Sequence, residues 1–431
     1  MSDLFHNGLP ATVFRQRPRT NRQMENTSFT NKFSNYKKLI ELAETDWHFA
    51  KTGRICELNV TIKNNNYLTD QHGREFHHFC TTSYLGLDYH QDIIEGAICG
   101  IREAKTLRIA NSKNRCKLEI LERYEQELST LFDSICLSTL SCSSASSGLL
   151  PLLASGVFTN NCSPTMVFDK HSHYSMNHIK ASCADETEVK TAPHNDLSFI
   201  EELCKKRKKV AYVCDGIYSM GGIADIDGLL YLKSRYGLFL YMDDSHALSA
   251  FGERGRGFIR SRIQTLDDQT LIVASLGKSF GASGGLIMFG SERQKTLMHR
   301  YGGPSNWSQS LNSAAIGAGL ASIKIHQTEE LCSLQEKLLL NIKLFDSLIH
   351  TDQSGTNAAI RLITCGKAEK ANTLTIHLAE KGFFTSSVFF PVVPRGKAAI
   401  RVTLRADMDP ATIILFCSYL TTLLNKHEIN N

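Results

Sequence analysis

Acidic, imidazole and amine side chains follow the ends of three apolar segments in this sequence. Each apolar segment is followed directly by a polar one: Val210–Cys214 by Asp215-Gly-Ile-Tyr-Ser219, Leu238–Met242 by Asp243-Asp-Ser-His246, and Leu271–Ala274 by Ser275-Leu-Gly-Lys278. Apolar runs that alternate with helical patterns predict parallel strands covered on both faces. Ligands bind at the carboxyl ends of such strands, so we expect an acid, a histidine and a lysine to converge there.

A lysine and a carboxylate in this arrangement suit one kind of cofactor. The amine of Lys278 can form an imine with an aldehyde, and the carboxylate of Asp243 can pair with a pyridinium nitrogen. That pair keeps the ring protonated, so the ring can accept electrons from a substrate carbanion. The pattern therefore predicts pyridoxal 5′-phosphate (PLP), with Lys278 also serving as the proton carrier.

A serine-rich segment predicts a site for the phosphate of such a cofactor. Ser141-Cys-Ser-Ser-Ala-Ser-Ser147-Gly148 follows a short strand and opens the apolar helix Leu149–Leu153. Small residues at a helix N-terminus expose backbone N–H groups that bind phosphate. Serine-rich turns are also commonly plain helix caps, so the segment gains weight only beside the lysine strand.

Two histidines, His171 and His173, follow the apolar strand Thr165–Phe168. A histidine after a strand can stack on a flat ring, or it can simply cap a helix. Taken alone, these residues favour the capping interpretation.

The elements that must position these residues form an α/β pattern. Before them, Tyr36–Lys51 predicts an amphipathic helix, and Val60–Tyr67 with Glu75–Thr81 predicts a hairpin. A further strand is Leu286–Phe289, and the later elements are the helices Glu329–Leu348, Ala368–Lys381 and Pro410–Leu424 and the strands Ile360–Ile363 and Ile400–Leu404. We expect a loosely ordered arm over the first 35 residues. We expect three units: 1–83, an arm and a segment that packs with the small domain; 84–322, a large PLP-binding domain; and 323–431, a small α+β domain.

Composition excludes several classes of protein. The chain has 431 residues, a net charge of +5 and 42% hydrophobic residues, which is typical of a globular protein and favours no nucleic-acid partner. The basic run at 205–209 suits a solvated helix end, with an anionic ligand as the less favoured alternative. Thirteen cysteines without a C-x-x-C pair indicate reduced thiols in the cytoplasm, with no disulfide framework and no metal site. No segment has the ~20 apolar residues of a membrane helix, and the N-terminus lacks the apolar core of a secretory signal.

Six motifs in order make the sequence similar to one known family. They are Tyr84-Leu-Gly-Leu87, Asp215-Gly-Ile-Tyr-Ser-Met220, Asp243-Asp-Ser-His246, Gly252-Glu-Arg-Gly-Arg-Gly257, Ser275-Leu-Gly-Lys278, and Pro391-Val-Val-Pro394 with Ile400-Arg401-Val-Thr403. Together they resemble the α-oxoamine synthase family of fold-type-I PLP-dependent enzymes, over roughly residues 75–425. The resemblance implies a large domain with a mainly parallel seven-stranded sheet and a small α+β C-terminal domain.

The same resemblance implies an activity. It predicts a PLP-dependent C-acyltransferase that condenses an amino acid with an acyl thioester, either acyl-CoA or an acylated carrier protein, with loss of CO2 to give an α-amino ketone. It also implies a homodimer with shared active sites. Two alternatives stay open: another PLP reaction such as aminotransfer, and a non-catalytic regulatory relative.

Roles for individual residues follow from the matched motifs. Lys278 would carry the cofactor, Asp243 would pair with the ring nitrogen, and His246 with Ser219 would bind the ring oxygen. The ring-stacking histidine matches His173, with His171 as the alternative. The remaining matches are Cys142, Ser143 and Ser275 for the phosphate, Ser308 for the partner subunit's phosphate site, and Arg401 for the substrate carboxylate.

Three departures from the family pattern lie in the substrate-binding wall and in the phosphate-binding segment. Thr82 stands where relatives have a substrate-contacting asparagine, and Ser146 stands where many have asparagine. The segment Arg108–Glu122 has neither the glycines nor the histidine of the family. We therefore expect conserved cofactor chemistry with an altered substrate site.

Overall fold

The computed structural model of the chain describes Phe33 and residues 35–429. The arm predicted for the first 35 residues therefore lies outside the described residues, apart from Phe33 and Asn35. Within the described range, no helix combines the length and the apolarity needed to cross a bilayer.

Helices and strands alternate through the middle of the chain. The helices are α1 (Tyr36–Thr52), α2 (Gln91–Ala104), α3 (Glu119–Phe132), α4 (Cys142–Ala154), α5 (Tyr174–Asn177), α6 (Lys180–Ala184), α7 (Leu197–Lys206), α8 (Ile226–Tyr236), α9 (Gly257–Arg260), α10 (Glu292–Tyr301), α11 (Pro304–Trp307), α12 (Ser313–His326), α13 (Glu329–Leu348), α14 (Ala368–Glu380) and α15 (Pro410–Ile429). The strands are β1 (Val60–Asn64), β2 (Tyr67–Asp70), β3 (Glu75–His78), β4 (Ile135–Thr139), β5 (Thr165–Asp169), β6 (Val189–Ala192), β7 (Val210–Asp215), β8 (Phe239–Asp243), β9 (Thr270–Ser275), β10 (Gly285–Phe289), β11 (Ile360–Gly366), β12 (Phe383–Phe384), β13 (Ser386–Val388) and β14 (Ala398–Thr403). Short 3₁₀ turns lie at Leu87–Tyr89 and Glu253–Gly255.

The central sheet has seven strands in the order β4-β10-β9-β8-β7-β5-β6. Strands β5 to β9 are paired in parallel, and only β10 runs antiparallel to its neighbours β4 and β9. The predicted fold class, an α/β fold with a mainly parallel seven-stranded sheet, is confirmed. The parallel arrangement brings the carboxyl ends of β7, β8 and β9 to one edge.

Apolar packing on both faces explains why the predicted strands form. Successive residues of β8 and β9 point to opposite sides, so Tyr241 and Leu271 lie in one core while Met242 and Ile272 lie in the other. All residues of β7 and β8 are buried. Continuous apolar runs are therefore required here, in place of the alternation of a half-exposed sheet.

Two smaller sheets flank the central one. The first has the order β1-β2-β3-β12, and the second, from the C-terminal part, has the order β11-β14-β13. The strand predicted over Val60–Tyr67 is split in two at Asn65 and Asn66, so the predicted hairpin is a three-stranded meander. Asn65 has a φ of +43°, a left-handed conformation that asparagine tolerates better than most residues.

Candidate active site

A lysine and a histidine from neighbouring strand ends are in direct contact. The Nζ atom of Lys278, just after β9, lies 3.0 Å from Nε2 of His246, which follows β8. Burial lowers the pKa of the Lys278 amine, although the charge of Asp243 opposes this effect. Burial and the neighbouring charge of Lys278 also lower the pKa of His246 well below its usual value. A neutral imidazole at His246 is therefore favoured.

Tyr84 also contacts His246, although the sequence analysis assigned it no role beyond its place in a motif. Its hydroxyl lies 2.6 Å from Nδ1 of His246, and its ring is completely buried. Burial raises the pKa of Tyr84 to about 12, while the nearby guanidinium of Arg401 acts in the opposite direction. The signal in the sequence was the motif Tyr84–Leu87, but its contact partner lies 162 positions further along the chain.

Asp243 lies at the end of β8 with a side chain that is almost inaccessible to solvent. One carboxylate oxygen accepts a hydrogen bond from the backbone N–H of Ser245 at 2.9 Å, and the other accepts from Sγ of Cys142 at 3.3 Å. Both donors are uncharged. The carboxylate therefore has no strong cationic donor among these contacts, and it can still take one from a ligand.

A second carboxyl group, Asp215, lies beside Asp243 in the paired strand β7. Burial and the neighbouring charge of Asp243 raise the pKa of Asp215 well above its usual value. Its Oδ2 atom accepts a hydrogen bond from the backbone N–H of His173 at 2.9 Å. Asp215 thus fixes the main chain at His173, a contact that the sequence analysis did not assign.

The structure separates the two candidate histidines. Burial lowers the pKa of His173, and the charges of Asp243, Lys278 and Arg401 also act on its ring, which places it at the lysine site. The ring of His171 instead stacks on His194, with ring centres 4.2 Å apart. His173 therefore lies close to Lys278, and its role in stacking on a bound ring stays a prediction.

Arg401 reaches the same edge from the C-terminal sheet. It lies in β14, is largely buried, and donates from Nε to the backbone oxygen of Ser219 at 2.8 Å. This bond brings Ser219, after β7, and Arg401 together. Thr82 lies half-buried, two residues before Tyr84 on the same turn.

The predicted phosphate residues meet around Gly285 of β10. Helix α4 begins at Cys142, so most of the serine-rich segment belongs to the helix rather than to a loop. A Cβ atom on Gly285 would lie 2.6 Å from the backbone nitrogen of Cys142, and Gly285 is paired with Ser275. The first N–H groups of α4, those of Cys142 and Ser143, have no acceptor within the helix and lie beside the Ser275 strand end.

Ser308 is exposed immediately after α11. That short helix contacts α4, because Oγ of Ser305 donates to the backbone oxygen of Ser144 at 3.3 Å. The role of Ser308 in a partner's site stays a prediction.

These residues fit PLP on chemical grounds. The site combines a buried amine of lowered pKa, a buried carboxylate that contacts only uncharged donors, and the N-terminus of a 13-residue helix. An aldehyde, a pyridinium nitrogen and a phosphate are the groups that such partners bind.

Comparisons with known proteins agree with this site. The profile of the family described as aminotransferase class I and II matches residues 116–420, so the chain belongs to that family. It is similar to 8-amino-7-oxononanoate synthase of Geobacter sulfurreducens, with 27% identity over 349 residues, which covers 79% of this chain and 87% of that protein. It is also similar to 2-amino-3-ketobutyrate coenzyme A ligase of Escherichia coli, with 28% identity over 369 residues, or 82% and 89% of the two chains.

Solved structures show the same fold. Serine palmitoyltransferase from S. paucimobilis, with bound PLP and myriocin, matches with a TM-score of 0.80 and 17% identity over 92% of this chain and all of that one. 8-Amino-7-oxononanoate synthase from Francisella tularensis matches with a TM-score of 0.66 and 19% identity over 82% and 99%. The predicted resemblance to the α-oxoamine synthases is confirmed, and PLP is the cofactor of this group of enzymes.

Proposed function

We propose that the chain catalyses condensation of an amino acid with an acyl thioester, with loss of CO2, to an α-amino ketone. The observation that carries this proposal is the contact of Lys278 with His246, on which the charges of Asp243 and Arg401 act. The named activities of the curated relatives support the choice of acyl transfer among PLP reactions.

Each residue of the site has a place in binding the cofactor. Asp243 would pair with the ring nitrogen, His173 would stack on the ring, and His246 with Ser219 would bind the ring oxygen. The N–H groups of Cys142 and Ser143 and the hydroxyl of Ser275 would hold the phosphate. When bound, PLP supplies an electron-accepting ring that stabilises negative charge at the substrate Cα.

Substrate chemistry then rests on three side chains. Arg401 would hold the amino-acid carboxylate through its planar guanidinium. The Nζ atom of Lys278 would remove the Cα proton, and His173 would donate to the thioester carbonyl. A C–C bond forms at the carbonyl carbon, the thiol leaves, the carboxylate departs as CO2, and Lys278 returns a proton to Cα.

The altered substrate wall is packed into the fold. Lys113, in the segment that lacks the family glycines, is buried and donates from Nζ to the backbone oxygen of Ser138 at 3.4 Å. Oγ of Ser112 donates to Oδ1 of Asn306 at 2.8 Å, which ties the segment to α11. We propose that this segment, with Thr82, selects a specialised substrate pair.

The organisation of the protein is part of the same proposal. It comprises a large PLP-binding domain over 84–322, a small domain over 323–431, and a preceding segment over 1–83 that packs with the small domain. We further propose a cytoplasmic homodimer in which Ser308 serves the partner's site.

The test is an absorbance spectrum of the purified chain with PLP, followed by product analysis. A band near ~420 nm is expected in the wild type and should be lost in Lys278→Ala. Lys180→Ala is the matched control, because burial also lowers the pKa of Lys180, to about 8. Its amine donates a hydrogen bond to Thr191, and Lys180 is not one of the site residues. That control should keep the band.

Products separate the reaction classes. With amino acids and acyl-CoA or an acylated carrier protein, the proposal requires an α-amino ketone and CO2. A keto acid in place of these products would indicate aminotransfer. A chain that forms no band would reject both enzyme functions and favour a regulatory relative.

A further inference from the structure

Tyr84 connects the candidate substrate-carboxylate residue to the candidate cofactor lysine. Its hydroxyl contacts Nδ1 of His246 at 2.6 Å, and Nε2 of the same ring contacts Nζ of Lys278 at 3.0 Å. The charge of Arg401 also acts on the hydroxyl. The contact between Tyr84 and His246 is buried and the contact between His246 and Lys278 is partly buried, so both are shielded from water.

The direction of these hydrogen bonds follows from the donor capacity of each group. The positive charge of Arg401 attracts the lone pairs of the Tyr84 oxygen and repels its proton, which favours donation of that proton to Nδ1 of His246. A neutral imidazole that accepts at Nδ1 carries its proton on Nε2. That proton then points at Lys278, whose amine must offer a lone pair and is therefore neutral.

We propose that Tyr84 is a positioning residue that fixes the tautomer of His246 and thereby keeps the amine of Lys278 unprotonated and ready to bind the cofactor aldehyde. This inference rests on the proposed function, because it assigns a role within the same site. A protonated Lys278 would need Nε2 as an acceptor, which would move the imidazole proton to Nδ1. The Tyr84 oxygen would then accept from Nδ1–H, and its own proton would lose the acceptor at Nδ1 and turn towards the charge of Arg401, so Tyr84 disfavours the protonated amine.

Other groups also affect the pKa of the Lys278 amine, and they are the same in the wild type and in the Tyr84→Phe variant. The charged and titratable side chains that face Lys278 are Asp243, Cys142, Asp215, Arg401, His173 and His246. Tyr84→Phe alters none of them and removes one oxygen atom. The expected change is therefore a higher pKa of Lys278, by about one pH unit, as for the loss of one buried hydrogen bond.

The experiment follows the rate at which PLP attaches to the PLP-free full chain, from the growth of absorbance near ~420 nm, between pH 6 and pH 10. Only the neutral amine attacks the aldehyde, so the midpoint of the rate profile reports the Lys278 pKa. Tyr124→Phe is the matched control, since Tyr124 is also fully buried and its hydroxyl has no hydrogen-bond partner among the described residues.

We expect a midpoint about one pH unit higher in Tyr84→Phe and no change in Tyr124→Phe. A purely structural role would lower the rate equally at every pH. Unmoved midpoints in both variants would overturn the inference and leave the proposed function intact. A wild-type chain without the absorbance would overturn both.

A second variant covers the case in which Tyr84→Phe does not fold. Incorporation of 3,5-difluorotyrosine at position 84 keeps the ring and the hydroxyl but makes the hydroxyl a stronger donor to His246. We expect this substitution to move the midpoint to lower pH, and a midpoint equal to that of the wild type would contradict the inference.

Discussion

The carboxyl group of Asp244 allows a quantitative prediction about stability. Its side chain is 1% exposed, and burial raises its pKa to about 7. Oδ2 accepts a hydrogen bond from the backbone N–H of Ile259 at 3.0 Å, while Oδ1 has no partner within the described residues. Glycines at 216 and 257 leave room for the carboxyl group, since a Cβ at either position would lie within 2.7 Å of it.

The sign of the pH dependence follows from the raised pKa. In the unfolded chain the carboxyl group loses its proton near pH 3.8, whereas in the folded chain it keeps the proton up to about pH 7. The folded state therefore binds more protons between these values, and the free energy of unfolding falls as pH rises through them. A shift of about three units corresponds to a loss of about 4 kcal/mol.

Replacement of Asp244 by asparagine removes this titration and keeps an acceptor for Ile259. We expect the stability of Asp244→Asn relative to the wild type to increase by about 4 kcal/mol between pH 4 and pH 8. Urea unfolding followed by circular dichroism at several pH values measures this difference, and the titration of all other groups cancels in it. Asp227→Asn is the control, because the side chain of Asp227 is 77% exposed. A difference between Asp244→Asn and the wild type that does not vary with pH would refute the reasoning.

Three further substitutions have defined outcomes. Arg405→Leu should lower the free energy of unfolding by about 3–5 kcal/mol in urea unfolding, because it leaves Asp407 without the fully buried guanidinium that donates to both its oxygens at 2.7 Å. A decrease in the free energy of unfolding below about 1 kcal/mol would contradict this prediction, because it is typical of a weak surface ion pair. His173→Leu should lower the rate of α-amino ketone formation at least about 100-fold, the lower end of the contribution of a general acid. His171→Leu should change that rate only a few-fold. Equal effects of the two substitutions would contradict the assignment. Arg401→Lys should weaken amino-acid binding about tenfold or more without loss of the PLP absorbance band. Spectral titration of the PLP-loaded chain measures this binding. Unchanged binding would show that Arg401 does not hold the substrate carboxylate.

Five strands of the central sheet, β5 and β7 to β10, were predicted to within one or two residues, whereas β4 was expected only as a short strand without bounds and β6 was not predicted. Burial on both faces requires a continuous apolar run, which is visible in the local sequence. The antiparallel direction of β10 is not visible there, because strand pairing depends on contacts between distant segments. The break at Asn65 was missed for a different reason, since polar residues on an exposed strand give no clear period.

In the candidate site, the residue types at strand ends were enough to predict that Lys278, Asp243 and His246 converge. The family motif matched His173 but left His171 as the alternative, because both residues follow the same strand. Tyr84 was outside the reach of local patterns as well. Its hydroxyl acquires its partner, His246, only when segments 162 positions apart in the chain are folded together.

The segment 276–284, which carries Lys278, is held at both ends and on one side, which limits the changes of length that it can accept. Because β10 returns antiparallel to β9, a hydrogen bond of 2.9 Å from Leu276 N to Gly284 O ties the two ends of the segment together. Its far side rests on Leu87, which a methyl group on Gly281 would approach to 2.5 Å. An insertion or deletion here would displace the lysine itself. Changes of chain length that alter the substrate site are therefore expected outside this segment.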